Sequence, residues 1–155
     1  MTIGNQPLPR SLYADTARPL TPVPELEGDC VASVVVIGGG FTGLSAALHL
    51  AELGIDTVVL EANQPGWGAS GRNGGQVNAG FYLDPDQVLA DFGPDMGQRM
   101  LATTSEAPNL VFEVVRRYNI DCEAVQTGTL RLAFNTKMLE GSRSTFACPW
   151  YGWTG

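Results

Sequence analysis

Three glycines and one acidic residue have the types and the spacing of a nucleotide-binding site. Gly38, Gly40 and Gly43 form the pattern G-x-G-x-x-G, and Glu61 follows eighteen positions after Gly43. The first glycine permits a turn that a Cβ would block, and the second lets a diphosphate approach the main chain. The third lets the next helix lie close to the preceding strand. Glu61 is suited to accept hydrogen bonds from ribose hydroxyls and would repel a 2′-phosphate, so the pattern disfavours NADP.

The elements that must position these residues are a strand, a helix and a second strand. Residues 34–37 are a β-branched run, which is typical of a strand buried on both faces of a parallel sheet. A helix from about Thr42 to Leu53 would direct its N-terminal N–H groups and its positive dipole end at the phosphates. Gly54 is a suitable C-terminal stop. With a second strand at 57–60, the sequence predicts a β-α-β nucleotide-binding unit.

A second glycine cluster follows the acid. Residues 64–80 read QPGWGASGRNGGQVNAG and contain six glycines. Because glycine loses much conformational entropy on ordering, an ordered loop of this composition needs something that holds it. One interpretation is a ligand that backbone N–H groups approach closely, with Ser70, Arg72 and Asn73 as donors to phosphate or ring oxygens. The alternative is a flexible linker, which would not need Trp67 and Arg72.

The composition fits one soluble globular domain and argues against several partners. The 155 residues are 44% hydrophobic and carry a formal net charge of −7. Since nucleic acids and anionic membrane surfaces bind basic faces, this charge argues against both. Cys30, Cys122 and Cys148 are far apart and odd in number, which favours a reducing compartment and a protein without disulfides. Their spacing also argues against a metal site. With no leader and no apolar run that spans a bilayer, we expect a cytoplasmic protein.

Residues 1–30 are predicted to form an extended N-terminal arm. They contain five prolines and few large apolar side chains. The arm either lies along the body, with Leu12 and Tyr13 as anchors, or is a disordered tail. His49, the single histidine of the sequence, is expected to be a surface or packed residue of the helix after the glycine turn.

Three helices are predicted after the second glycine cluster. The first runs from 84 to about 92 and is opened by an aspartate N-cap followed by proline. The second covers about 95–101, and the third about 105–118 with Ser105 as its N-cap. Pro108 then falls among N–H groups that have no intrahelical partner. These helices would provide packing surface.

The end of the chain is predicted to hold one strand and an irregular tail. Residues 127–134 alternate in the manner of a strand with two different faces. Residues 135–155 show neither a helical nor a strand period and contain Trp150, Tyr151 and Trp153 close together. These aromatics would form either a docking patch or part of an unstructured tail.

With both glycine clusters identified, the sequence resembles the FAD-dependent oxidoreductases of the D-amino-acid oxidase type, and within them the gamma-glutamylputrescine oxidase-like branch. The resemblance covers residues 11–134. It includes SLYADTARPLTPVPELEGD, VVVIGGGFTGLSAALHLAELG, VVLEA, GWGASGRNGGQ and TGTLRLA. The second glycine cluster after the acid separates this group from nicotinamide-binding Rossmann proteins.

The resemblance implies a FAD site formed by the first glycine turn, the acid and the second glycine cluster. The first turn would contact the diphosphate and the acid the adenosine ribose, while the second cluster would lie beside the diphosphate, the ribityl chain or the flavin. The implied cofactor-binding residues are Gly38, Gly40, Phe41, Thr42, Gly43, Glu61, Ala62, Ser70, Gly71, Arg72, Asn73, Gly74 and Gly75.

The resemblance also implies an activity and a fold class. In such enzymes the C–H next to an amine nitrogen of a small amine or amino acid gives hydride to flavin N5, and the imine product hydrolyses. The expected fold is α/β, with an incomplete Rossmann-like FAD-binding domain at 31–134 that includes the first strand of a substrate domain. Because family members are much longer, no catalytic residue is assigned and little turnover is expected. The alternatives are a non-catalytic fragment that binds flavin weakly or not at all and an NAD-dependent dehydrogenase, which the GASGRNGG loop disfavours.

Overall fold

The computed structural model describes residues 6–20, 23–128 and 133–136. They fall into two compact units, the first within Met1–Gly75 and the second within Gln76–Gly155. The predicted irregular tail, with its three aromatics and Cys148, lies outside the described residues apart from residues 135–136. The same holds for the centre of the strand predicted at 127–134.

The first unit begins with a short helix, α1 (Leu12–Thr16). Ser11 is its N-cap and accepts a hydrogen bond from Ala14 N–H through its hydroxyl at 3.1 Å. This cap explains why a turn of helix forms inside a segment that was predicted to be extended. The side chain of Leu12 is 72% exposed, so its prediction as an anchor is wrong. Tyr13, the next residue around the helix, is half-buried.

A parallel β-α-β unit follows and confirms the predicted elements. Strand β1 (Val34–Ile37) pairs in parallel with β2 (Thr57–Leu60), so that Val34 lies opposite Thr57 and Ile37 opposite Leu60. The crossover is helix α2 (Phe41–Glu52), as a parallel pair requires. Gly54, at a φ of +71°, follows the end of α2 and donates its N–H to Ala51 O at 2.9 Å.

Strand β1 is covered on one face only, which corrects the prediction that it is buried on both. Val34 and Val36 are half-buried, whereas Val35 and Ile37 are 52% and 87% exposed. The physical reason is that the sheet of the described residues has two strands and one crossover helix, so nothing among those residues covers the opposite face.

Among its described residues, the second unit has two helices packed against each other. They are α3 (Pro85–Phe92) and α4 (Pro94–Arg117). Val88 of α3 and Leu101 of α4 are each 1% exposed and form the core of this unit. Among the described residues, no helix combines the length and the apolar character needed to cross a membrane.

Helix α4 is continuous, which corrects the prediction of two helices at about 95–101 and 105–118. Pro108 lies inside it and supplies no N–H to the carbonyl of Thr104, four residues earlier. That carbonyl accepts a hydrogen bond from Gly80 N–H at 3.1 Å instead. Ser105, predicted as an N-cap, lies within the helix and donates its hydroxyl to Ala102 O at 2.9 Å. The helix passes the proline because a donor from outside the helix replaces the lost one.

Candidate functional site

The first glycine turn connects the end of β1 to the start of α2. Gly38 has a φ of +103°, a region that side chains disfavour, and its N–H donates to Leu60 O at 2.7 Å. At Gly43 a Cβ would overlap the Gly38 carbonyl oxygen and would lie 3.2 Å from Val36 Cγ1. The start of α2 therefore lies against the end of β1 as closely as the glycine spacing predicts.

Glu61 reaches back from the end of β2 to this turn. Its Oε2 accepts a hydrogen bond from Gly39 N–H at 2.6 Å, and its Oε1 accepts one from Asn63 N–H at 3.0 Å. These backbone donors, first that of Gly39 and then that of Asn63, hold the pKa of Glu61 below its ordinary value. The half-buried carboxylate is consequently ionised at neutral pH and lies beside the glycine turn.

The second glycine cluster lies against the first. Gly66 N–H donates to Gly39 O at 2.9 Å, and Ser70 Oγ accepts from Phe41 N–H at 3.0 Å. Ser70 belongs to a single 3₁₀ turn, Ala69–Gly71. Because Gly40, the N-cap of α2, has no side chain to accept a hydrogen bond, Ser70 supplies that acceptor from the loop.

Side chains within the loop give it a defined conformation. The Arg72 guanidinium lies 5.6 Å from the ring centre of Trp67, and Arg72 Nε donates to Gly68 O at 3.2 Å. Asn73 Nδ2 donates to Ser70 O at 2.6 Å, while Asn73 Oδ1 accepts from the next glycine but one, Gly75, at 2.6 Å. The segment 66–75 is thus tied by its own side chains, which argues against the flexible-linker alternative.

The structure brings together one part of the predicted set of site residues. Glu61 and Ser70 contact the first turn directly, through its Gly39 and Phe41 amides. Other predicted residues are solvent-exposed and lie around these contacts: Phe41, Thr42, Ala62, Arg72, Asn73, Gly74 and Gly75. Gly71 is half-buried, and a Cβ there would overlap Gly66 O.

Sequence reasoning missed Gly39. This buried residue lies between the two motif glycines; its N–H contacts Glu61 and its carbonyl contacts Gly66. A Cβ at Gly39 would lie 3.2 Å from Glu61 Oε2, so the close approach of the acid depends on a glycine here. The signal was present in the sequence, because IGGG contains one glycine more than the motif requires.

The sequence also drew attention to the histidine and the cysteines. His49 is on α2, where its Nδ1 lies 2.7 Å from Ser45 O, one turn earlier. Cys30 and Cys122 are exposed free thiols. Within the described part of the chain, no three His, Cys, Asp or Glu residues are grouped so that they could hold a metal ion.

Comparison with known proteins shows a matching family and several relatives. The family model described as FAD dependent oxidoreductase, DAO, matches residues 33–149. Gamma-glutamylputrescine oxidoreductase of Escherichia coli (strain K12) is 43% identical over 129 residues, which are 83% of this chain and 30% of that protein. Probable oxidoreductase OrdL of Haemophilus influenzae is 37% identical over 131 residues, which are 84% of this chain and 30% of that protein.

A further relative is the Glycine oxidase of Bacillus licheniformis, which is 30% identical over 101 residues, 65% of this chain and 26% of that protein. No solved structure matches the chain. The chain spans less than a third of the length of each of these three relatives. Since the family model matches more than half of its residues, the chain belongs to the DAO family of FAD-dependent oxidoreductases, whose cofactor is FAD.

Proposed function

We propose that this chain is the FAD-binding portion of a flavin-dependent oxidoreductase that acts on a small-molecule amine or amino acid. The observation that carries the proposal is the convergence of Glu61 and Ser70 on the glycine turn, through the N–H groups of Gly39 and Phe41. At the glycine turn, a carboxylate and the N-terminus of a helix therefore lie within three backbone residues of each other. These are the groups that suit the ribose and the diphosphate of a dinucleotide.

The start of α2 fits a diphosphate. Gly40 is an N-cap without a side-chain hydrogen bond, and the first turn of α2 contains no acidic residue. The positive end of the helix dipole is therefore not compensated by a carboxylate of that turn. A Cβ at Gly40 would lie 2.9 Å from Ser70 Oγ, so a side chain at Gly40 would fill the space between the turn and the loop. Phosphate oxygens would accept from N–H groups in the first turn of α2 other than that of Phe41, which donates to Ser70 Oγ.

The carboxylate of Glu61 fits the adenosine ribose. An ionised carboxylate has about four acceptor sites, and Gly39 and Asn63 use one on each oxygen. The remaining sites are available to ribose hydroxyls. The carboxylate is charged at neutral pH, and the lowered pKa favours that form further, so the group would also repel the extra phosphate of NADP.

The second glycine cluster would hold the rest of the cofactor. Arg72 is an exposed cation fixed over Trp67, and a cation at this place would stabilise the negative charge of a diphosphate or of a reduced flavin. When bound, FAD supplies the redox chemistry, taking hydride from the C–H next to an amine nitrogen and leaving an imine that hydrolyses. The residues of this chain would bind and orient it.

The substrate class is inferred from the names of two relatives. One is a Gamma-glutamylputrescine oxidoreductase and another a Glycine oxidase, so an amine and an amino acid are the compounds named. A small molecule of this class is the proposed substrate of the protein to which this FAD-binding portion belongs. We assign no catalytic residue within the chain.

One observation favours a second candidate, a non-catalytic fragment that binds FAD weakly or not at all. The exposed face of β1, with Ile37 at 87% exposure, leaves apolar surface and strand edges uncovered among the described residues. A site with such support would enclose less of the cofactor. This candidate predicts no turnover with amines even when the site is intact.

Flavin retention separates these candidates. The purified 155-residue protein is examined for flavin absorbance, for release of FAD on denaturation, and for thermal shifts with FAD and with NAD. FAD that is retained through purification supports the proposal. Stabilisation by NAD alone would indicate a dehydrogenase. Loss of FAD on purification, with little or no stabilisation by added FAD or NAD, would indicate the fragment.

Two glycine variants test the location of the site. Gly40→Val should abolish FAD binding because its side chain would occupy the space next to Ser70 Oγ. Gly68→Ala serves as the control, since a Cβ there would meet nothing within 4 Å. Equal FAD affinity of both variants would place the cofactor elsewhere.

A further inference from the structure

We propose that residues 6–16 form a strap that fixes the second glycine loop, residues 63–75, and that Trp67 and Tyr13 are the positioning residues through which it acts. In the apo protein the strap orders the loop. Its second effect, tighter binding of FAD, rests on the function proposed above.

Three hydrogen bonds join the strap to the loop. Trp67 Nε1 donates to Pro7 O at 3.1 Å, and the hydroxyl of Ser11 donates to Gly71 O at 3.5 Å. At the start of the loop, Gln6 N–H donates to Asn63 Oδ1 at 3.4 Å. The partners are 57 to 60 positions apart in sequence, so these bonds close one segment of the chain over another.

A fourth contact lies at the end of the loop. Gly75 has a φ of +70°, and a Cβ at this position would overlap the hydroxyl of Tyr13. Tyr13 is half-buried although its neighbour Leu12 is exposed, so α1 directs Tyr13 at the loop. The strap consequently contacts the loop at its beginning, middle and end.

Trp67 transmits this restraint to the charged part of the loop. One edge of its indole donates to Pro7 O, while Arg72 lies over its ring at 5.6 Å. An exposed arginine has many rotamers, and a fixed aromatic ring below it reduces them. A strap that holds the indole therefore also restricts where the Arg72 guanidinium can lie. This is the group proposed to face the cofactor's negative charge.

The coupling must be reciprocal. If the strapped loop binds FAD better than the unstrapped loop, then FAD must favour the strapped state by the same factor. A probe of the strap should therefore respond to FAD, and a change in the strap should alter FAD affinity. A loop held only by its own side chains would show neither effect.

Trypsin reports on both segments. Arg10 precedes Ser11, the N-cap of α1, and Arg72 lies in the loop; both arginines are exposed. Between them the sequence has one other arginine, Arg18, and no lysine, and Arg18 precedes a proline, so that trypsin cleaves poorly after it. Cleavage after Arg10 and after Arg72 can thus be followed separately by mass spectrometry, with and without FAD.

The first test is Trp67→Phe, which removes the donor to Pro7 O but keeps an aromatic ring below Arg72. We expect cleavage after Arg72 in the apo protein to accelerate about 5- to 10-fold, as for the loss of one net hydrogen bond. FAD binding should weaken by a similar factor. FAD should slow cleavage after both Arg10 and Arg72 in the wild-type protein.

The second test is a double-mutant cycle at the end of the loop. Gly75→Ala should accelerate cleavage after Arg72, because its Cβ would overlap the Tyr13 hydroxyl. Adding Tyr13→Phe should recover part of this loss, since Tyr13 Cζ lies 3.7 Å from that Cβ, an ordinary contact. Tyr82→Phe is the matched control because Tyr82 is fully exposed, and it should recover nothing.

The outcomes distinguish the strap from the proposed function. Unchanged apo cleavage after Arg72 in Trp67→Phe, together with an additive cycle, overturns the strap whatever FAD does. Faster apo cleavage in a protein that never binds FAD supports the strap and overturns the proposed function. Faster apo cleavage with unaltered FAD affinity overturns the positioning role of Trp67 while the proposed function stands.

Discussion

The N–H of Gly39 donates to the Oε2 of Glu61 at 2.6 Å, across 22 positions of sequence. This bond joins the end of β2 to the turn after β1, so the two strands of the sheet are tied at their carboxyl ends by a side chain as well as by the ladder. The same residue, Gly39, holds Gly66 through its carbonyl. Gly39 is therefore the point at which the acid, the first turn and the second glycine cluster meet.

The stability of the protein should depend on the ionisation of Glu61. Because the Gly39 and Asn63 N–H groups hold its pKa below the ordinary value of 4.5, the charged form contributes stability that is fully present above that ordinary value. This contribution should be lost as the pH falls through the lowered pKa of the folded state. Urea unfolding of the wild type and of Glu61→Gln should differ most near neutral pH and converge in acid.

The exposed Glu27 provides the control for this comparison, and Glu27→Gln should leave the free energy of unfolding at neutral pH close to that of the wild type. A difference between wild type and Glu61→Gln that stays constant from neutral pH into acid would contradict the assignment.

Gly43→Ala should destabilise the first unit. Its methyl group would overlap Gly38 O and crowd Val36, so β1 and α2 would have to separate. Overpacking of this kind costs about 1–3 kcal/mol. The free energy of unfolding, measured in urea, should fall by this amount for Gly43→Ala and little for Gly68→Ala, whose methyl group would meet no atom within 4 Å. Equal values for the two variants would mean that the helix does not lie as close to the strand as described.

Ser70→Ala should loosen the contact between the two glycine clusters. It removes the acceptor of Phe41 N–H at the start of α2, and the loss of an N-cap acceptor costs about 0.5–2 kcal/mol. Thermal unfolding should report the loss, and FAD affinity should decrease with it if the cofactor is bound here. The control is Ser33→Ala, at an exposed serine outside the loop. A neutral effect of Ser70→Ala on both measurements would show that the loop is held without this bond.

Pro108→Ala should transfer a hydrogen bond from one donor to another. An alanine at 108 restores an N–H that can donate to Thr104 O within the helix. This N–H would compete with the Gly80 N–H for that carbonyl. We expect hydrogen exchange at the Gly80 amide to accelerate while α4 itself becomes more stable. Pro94→Ala is the control, since Pro94 lies at the start of α4, where an N–H has no intrahelical partner. Unchanged exchange at Gly80 would contradict this account.

The elements with local causes could be predicted from the sequence. The run at 34–37, the glycine turn and the stop at Gly54 each act within a few residues, and the structure has β1, α2 and β2 where they were expected. The position of Glu61 beside the turn was also predictable, because parallel strands end at the same edge of a sheet.

The features that depend on distant partners could not be predicted in this way. Ser105 and Pro108 read locally as a new helix start, and only the donor at Gly80, far away in sequence, explains why α4 continues. The exposure of Ile37 depends on which elements cover the sheet, not on its own side chain. The turn at Leu12–Thr16 forms within a proline-rich segment that composition alone describes as extended.

The carbonyl of Thr104 shows how the proline in α4 affects the packing of a neighbouring segment. In a continuous helix, the main-chain carbonyls accept hydrogen bonds from within the helix. A proline leaves one carbonyl, four residues earlier, without its intrahelical donor. A neighbouring segment can therefore donate its backbone N–H to the helix at this position. At any other position it would need a second free carbonyl. Pro108 thus determines the position along α4 at which the N–H of Gly80 binds.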